Sequence, residues 1–240
     1  MDFSIKSEAD YTKLVEYLYS IRKVESDYHR SRHLKIINTH KYVISCTTKD
    51  IRDIAKKIYK SGYEDYLKVA QFSTYEETLI YGLVIAGIKD IDEMVSRLPK
   101  FIEHIDTWAE CDTVVSSMKS LHKSPKKAQY FDYFYQMCFS KSEFEARFGI
   151  VTLMVYYLEP EYIDRVLYMC ESIQNHAYYV DMAVAWLISF AFMKFKSQTY
   201  DLLGRRVLTP FVQNKSICKC RDSYQVDPVD KEKLILFRLK

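Results

Sequence analysis

The chain of 240 residues contains two tryptophans, and one of them, Trp108, stands four residues before a carboxylate in Trp108-Ala109-Glu110-Cys111-Asp112. On a helix, positions i and i+4 share a face about one turn apart, so a large π surface and a carboxylate point the same way. An ionised carboxylate beside an aromatic face needs a partner or water. That face is therefore either a satisfied packing surface or the wall of a working groove. Three more side chains are out of keeping with their surroundings. Arg147 is the only charge between Ala146 and Leu158, Asp181 is the only one between Ala177 and Met193, and Trp186 lies inside the second of these runs. Each also has a structural account: core packing for a tryptophan, a snorkelling or ion-paired side chain for Arg147, a bond to a neighbouring helix end for Asp112. Lys126 and Lys127 follow Ser124-Pro125, a cap and N1 proline, and so fall in the first turn of the expected helix. The macrodipole disfavours cations there by roughly a few tenths of a kcal/mol. A phosphate would offset that cost, and two exposed lysines tolerated at small cost explain the pattern equally well.

Most other chemistries have no foothold. Gly62, Gly82, Gly87, Gly149 and Gly204 do not form a phosphate loop or a dinucleotide fingerprint. There is no Gly-x-Ser-x-Gly elbow, no His-Glu-x-x-His and no EF-hand loop. His29 and His33 have the i, i+4 spacing of metal ligands but lack an intervening Glu and an obvious third ligand, so a solvated face is expected. Cys46, Cys111, Cys138, Cys170, Cys218 and Cys220 are scattered as reduced, mostly buried thiols would be, and Cys218-Lys219-Cys220 has no second pair to complete a zinc site. Neither a metal nor a cofactor is expected.

The elements that must position these residues read as helices. Five Gly and five Pro are too few for a sheet protein joined by tight turns. Apolar periodicity and caps predict helices over 8–20 and 50–59, one opened by a capping box at Ser73-Thr74-Tyr75-Glu76 and stopped at Gly87, and another from Asp90. A further helix is expected to begin at Pro99. One over 107–120 would carry Trp108, Asp112 and Lys119 on one stripe. Ser142-Glu143-Phe144-Glu145 reads as a second capping box, Glu159-Pro160 as the start of the next helix, and 177–195 as a helix enclosed on nearly every side. Thr209-Pro210 and Asp227-Pro228 read as the caps of the last two. Helix pairs recurring every ~35 to 45 residues lie in the range of HEAT-like repeats. The expectation is one all-α domain over 1–240, a HEAT-like helical-repeat solenoid whose concave surface carries the ligand.

Charge is unevenly spread. Up to Asp112 there are 17 basic and 19 acidic residues, and from Thr113 onward 18 and 13, so a polyanion fits the second half better. The opening residues lack the basic-then-apolar order of a signal peptide, and the longest apolar run is short for a bilayer and holds Asp181. A soluble, cytoplasmic monomer with no membrane contact is expected.

Several ordered segments resemble one family. Phe101-Ile102-x-x-Ile105-x-x-Trp108-Ala109-x-Cys111-Asp112-x-x-x-Ser116-Ser117-x-Lys119 is similar to the "I-x-x-W-A-x-C-D" segment of the DNA alkylation repair family, the AlkD-type HEAT-like DNA glycosylases. Glu143-Phe144-Glu145-Ala146-Arg147-Phe148-Gly149-Ile150-Val151 resembles its "E-F-x-R-R-F-A/G-I-V" helix. Tyr178-Tyr179-Val180-x-Met182-Ala183-x-Ala185-Trp186 resembles its "Y-Y-V-x-x-A-x-A/G-W" helix, and Asn214-Lys215-Ser216-x-x-x-Lys219-x-Arg221-Asp222-Ser223 its C-terminal "N-K-x-x-x-K-x-R-E-S". Two places depart from the pattern. Ser45-Cys46-Thr47-Thr48-Lys49 stands where the family has "G-V-R-x-P", so the turn entering that helix is expected to differ. Leu187-Ile188-Ser189 stands where "L-R-E" often follows the tryptophan.

The resemblance implies excision of N3- and N7-alkylated purines from double-stranded DNA across a concave basic groove, without deep base flipping and without metal or cofactor. It implies Asp112, Trp108 and Trp186 as catalytic residues and Arg147 as a backbone-phosphate ligand. Lys119, Lys126, Lys127, Lys194, Arg205, Arg206, Lys215 and Lys219 are the accompanying candidates for phosphate contacts. Two other readings stand beside it: a DNA-binding solenoid of the same family without excision activity, and a protein-interaction scaffold.

Overall fold

The computed structural model describes residues 2–23, 31 and 34–240, so the His29/His33 pair lies outside the described residues. Those described are helical throughout apart from loops and a lone β-bridge between Tyr42 and Thr74. They form two compact units, Met1–Lys126 and Lys127–Lys240. Among the described residues no helix is long and apolar enough to cross a membrane.

The first unit contains α1 (Glu8–Ile21), α2 (Thr48–Lys60), α3 (Tyr63–Val69), α4 (Tyr75–Ala86), α5 (Ile91–Glu103), α6 (Trp108–Val115) and α7 (Lys119–Lys123). Five of these helices begin at a side-chain cap: Ser7, Thr47, Thr74, Asp90 and Thr107 each accept a backbone N–H of the first turn. The centre is α4, buried at every residue, with α2, α5 and α6 packed around it. A Cβ at Gly82 would stand 2.5 Å from the Phe101 ring and from Val114, so its absence lets α5 and α6 close on α4. Two carboxylates in this apolar helix are satisfied at long range. Glu76 accepts backbone N–H bonds from Ile44, Ser45 and Cys46 at 2.9, 2.7 and 3.1 Å, and Glu77 accepts the Tyr11 hydroxyl at 2.7 Å.

Three expectations are corrected in this unit. Thr74, not Ser73, caps α4, and Glu76 does not close a capping box because it is committed to residues 44–46. Pro99 lies inside α5 rather than at a helix start. The buried stripe Ile91, Met94, Val95, Leu98, Phe101 and Ile102 runs through it and outweighs the one N–H bond that proline lacks. The helix expected over 107–120 ends at Val115, where Ser116 and a turn intervene before α7. Lys119 is therefore the first residue of a separate short helix and not part of the Trp108–Asp112 stripe.

The second unit opens with a 3-10 turn, Lys127–Tyr130, followed by α8 (Phe131–Met137), α9 (Glu143–Tyr156), α10 (Ile163–Ser172), α11 (Tyr178–Lys194), α12 (Lys196–Arg205), α13 (Pro210–Asp222) and α14 (Pro228–Ile235). As expected, α11 is enclosed, with α9, α10, α12 and α13 against it. Thr209 and Asp227 cap helices that begin with proline. Gly149 brings α9 onto α8: a Cβ there would meet the Phe134 carbonyl oxygen at 2.8 Å and the Cys138 nitrogen at 2.9 Å.

Ser124-Pro125 opens the 3-10 turn and not an α-helix, so the macrodipole argument for Lys126 and Lys127 lapses. Ser142 caps α9 without a side-chain bond, since Glu143 instead accepts the Tyr179 N–H at 2.7 Å and Glu145 accepts the Ser140 hydroxyl. After Glu159-Pro160 the chain turns, and α10 begins only at Ile163.

Candidate functional site

In the first unit, α6 presents Trp108 and Asp112, both half-buried, one turn apart. The indole is fixed: its Nε1–H donates to the Ile36 carbonyl at 2.9 Å. That acceptor belongs to a segment fastened to the start of α6 by polar contacts. The Thr107 hydroxyl donates to the Ile37 carbonyl, the Thr39 hydroxyl donates to Asp106 at 2.7 Å, and the His40 N–H donates to the same carboxylate at 2.8 Å. Beneath them Glu110, fully buried, takes the Lys41 ammonium at 2.9 and 3.1 Å and the Asp106 N–H at 3.1 Å. Burial pushes the Glu110 carboxyl up to about 7, against the pull of Lys41. The arrangement holds a carboxylate and an oriented π face side by side at a half-open surface. Such a pair suits a developing positive charge on a ligand.

In the second unit, Arg147 is buried in α9, donates to the Tyr179 carbonyl at 2.8 Å and lies 5.8 Å from the centre of the Tyr179 ring. Trp186 on α11 is half-buried, with its ring edge-on to Phe190 at 5.8 Å. On α13, Lys215 and Lys219 are half-buried one turn apart. Burial, and then the charges of Lys215 and Arg147, hold the Lys219 ammonium below the usual lysine range. Lys215 and Arg147 thus lie near enough to act on the Lys219 ammonium, and the Asp222 carboxylate acts on it in the opposite sense. Lys194, exposed at the end of α11, lines the same recess as Trp186 and Lys219.

Four other basic candidates are engaged elsewhere. Lys126 is ion-paired with Asp92, and Lys127 is mostly enclosed and bound to Glu159 at 2.6 Å. Arg205 binds Glu171 at 2.6 Å and Asp201 at 3.0 Å, while Arg206 ends α12 and donates to the Leu236 carbonyl at 2.8 Å. Lys119 is exposed on α7. Asp181, the other lone charge, pairs with His176 Nδ1 at 3.0 Å, which is a structural role. Among the described residues no group of three or more His, Cys, Asp or Glu is placed to hold a metal.

Sequence reasoning missed Lys41 and Glu110, whose ion pair ties residue 41 to α6, and it missed Phe190, Met193 and Gln225 beside Trp186. Glu110 carried a signal, being the one carboxylate in the first turn of α6, set between Ala109 and Cys111. Lys41 carried none.

Residues 15–190 match the model of a family described as DNA alkylation repair enzyme. No curated protein and no solved structure matches the chain.

Proposed function

The chain belongs to the DNA alkylation repair enzyme family, and from that premise we propose that it is a glycosylase hydrolysing the N-glycosidic bond of cationic N3- and N7-alkylated purines in duplex DNA. The observation that carries the reading is the Trp108–Asp112 pair, half-exposed on one face of α6 with its indole fixed by Ile36.

Alkylation at N3 or N7 places a positive charge on the base, so the bond to the sugar is weakened before the protein acts. As that bond breaks its electron pair leaves with the base, and the sugar becomes an oxocarbenium-like cation. Asp112 stabilises this charge and orients the water whose oxygen closes on C1′, the water's proton passing to the carboxylate or to solvent. Trp108 and Trp186 offer π faces to cationic groups, each worth about 0.5–2 kcal/mol where water is excluded. Arg147, Lys194, Lys215 and Lys219 supply positive charge for backbone phosphates. On this reading the helices form a HEAT-like solenoid with a concave basic groove, and the protein acts as a monomer without metal or cofactor.

The test is release of N7-methylguanine from a duplex carrying it. Wild type should exceed spontaneous depurination, and Asp112→Asn should fall by about 10²–10³-fold, the usual cost of losing one preorganised electrostatic group. Release at the spontaneous rate, or a fully active Asp112→Asn variant, would remove the glycosylase reading.

A further inference from the structure

Every cation given above to backbone phosphates, Arg147, Lys194, Lys215 and Lys219, belongs to the second unit. Of the first-unit candidates named from the sequence, Lys126 is spent on Asp92, and Lys119 is left to accompany the Trp108–Asp112 pair. A carboxylate acts on charge developing at a sugar only if the strand carrying that sugar is held in place beside it. The first unit has an unassigned basic surface suited to that task. α2 buries Ile51, Ile54, Ala55 and Ile58 and leaves Arg52, Lys56 and Lys60 exposed, each four residues from the next. That spacing sets successive cations about 6 Å apart along one side of the helix, close to the interval between neighbouring phosphates of a strand.

A row of basic residues is ordinarily a solvated face, and two observations set this one apart. Among the described residues no carboxylate lies within ion-pair distance of Arg52, Lys56 or Lys60, whereas Lys13, Lys41, Lys68, Arg97 and Lys126 of the same unit each hold one. This is so although acidic residues outnumber basic ones, 19 to 17, up to Asp112. Of the acids on α2 itself, Asp50 accepts the Thr47 hydroxyl at 2.6 Å and Asp53 is exposed. The second observation is the place. Arg52 Nη1 donates to the Ser117 hydroxyl at 2.9 Å, and that hydroxyl donates to the Thr113 carbonyl at 2.7 Å. The guanidinium is thereby tied to the end of α6 through the residue that follows Asp112. A hydroxyl orients a guanidinium without neutralising it, so the charge stays available to an anion. We propose that Arg52, Lys56 and Lys60 form a track for the phosphates of the DNA strand presented to Trp108 and Asp112, with Arg52 at its α6 end. The inference rests on the reading of the chain as a DNA-binding protein and deepens it, giving the first unit its own hold on the backbone.

Affinity for a short labelled duplex without a lesion is measured by fluorescence anisotropy across a series of salt concentrations. Each phosphate contact contributes about 0.9 to the slope of log affinity against log salt. The triple variant Arg52→Gln, Lys56→Gln, Lys60→Gln should therefore lower the slope by about two to three. All three side chains are exposed, so its urea midpoint should match that of the wild type. Lys57→Gln is the control on the same helix, because that ammonium lies over the Phe3 ring at 5.0 Å, and it should leave the slope unchanged. Arg52→Lys, which keeps the charge, should also keep the slope. A triple variant with the wild-type slope overturns the proposal, and so does a Lys57→Gln variant that loses as much as Arg52→Gln does alone. Release of N7-methylguanine by the wild type is measured in parallel. Excision with an unchanged slope in the triple variant removes the track and leaves the glycosylase. A lowered slope without excision does the reverse, and a wild type that binds no duplex removes both.

Discussion

Glu110 makes the first unit's stability depend on pH in a direction opposite to that of most paired carboxylates. Its carboxyl is fully buried and is pushed from an ordinary 4.5 up to about 7, burial outweighing the Lys41 ammonium. Between these two values the folded chain holds the proton and the unfolded chain has released it. The folded state therefore binds more protons, and stability falls as pH rises through that window. The shift corresponds to about 3 kcal/mol at 1.36 kcal/mol per pKa unit, present in full below about 4.5 and gone above about 7. Glu110→Gln removes the titration while keeping a polar group against Lys41. Urea unfolding at pH 5, 6, 7 and 8, followed by Trp108 emission in a Trp186→Phe background, reads the first unit. The wild type should lose roughly 2–3 kcal/mol relative to Glu110→Gln between pH 5 and pH 8. Parallel stability curves for the two proteins would refute the reasoning. The partner variant checks the cause. Lys41→Met removes the ammonium that holds the carboxyl down, so at pH 8 the folded chain must either bury a carboxylate without its ion pair or take up a proton, and the variant should cost up to about 3–5 kcal/mol there. The cost should shrink at pH 5, where the carboxyl is protonated.

Other perturbations follow from single contacts. Gly149→Ala drives a methyl group against the Phe134 carbonyl and the Cys138 nitrogen of α8. Because backbone cannot give way as a side chain does, it should lower the unfolding free energy by about 1–3 kcal/mol in denaturant titration. Ser45 stands at φ 79°, in the left-handed region, so Ser45→Gly should raise stability by about 0.5–1 kcal/mol, the strain relieved less the glycine entropy cost. Lys219→Gln should reduce the salt slope of duplex binding by about one, whereas Lys127→Gln, whose ammonium is held by Glu159, should leave that slope unchanged.

The fold was legible where structure is set by adjacent residues and illegible where a side chain finds its partner far along the chain. Asp90, Thr209 and Asp227 cap helices as their local chemistry requires, and the run that becomes α11 could only be an enclosed helix. Ser73 and Thr74 were equally good caps by type. The choice fell to Thr74 while Glu76 went to backbone N–H groups 30 to 32 residues away. Lys126 and Lys127 looked unpaired because Asp92 and Glu159 lie 34 and 32 residues away. The candidate site divides the same way. Trp108 and Asp112 could be read as neighbours because one helix carries both, but Lys41 meets Glu110 across 69 residues. Nothing in the local pattern around Lys41 marks it.

Ser45 shows what a departure from a sequence pattern can and cannot mean. It occupies the position at which the resembling pattern has glycine, and its φ of 79° is one that glycine adopts freely. The substitution has not pushed this residue out of the glycine-type conformation. Glu76 explains how that is tolerated: three N–H groups in a row, from Ile44 to Cys46, converge on one buried carboxylate, and Thr47 then caps α2. Charge-assisted bonds of this kind are each worth about 1.5–3 kcal/mol, more than the strain of about 1–2 kcal/mol at one left-handed residue. The backbone entering α2 is held from α4, not by the residue type at position 45. The arginine and proline of that pattern have no comparable substitute in Thr47 and Lys49. What the altered turn changes is the side chains it displays, and an effect on DNA would arise there and not from a collapsed loop. Measured in the same duplex titration, Ser45→Gly should therefore raise stability without changing affinity, while Thr47→Arg should raise affinity and steepen its salt dependence by about one.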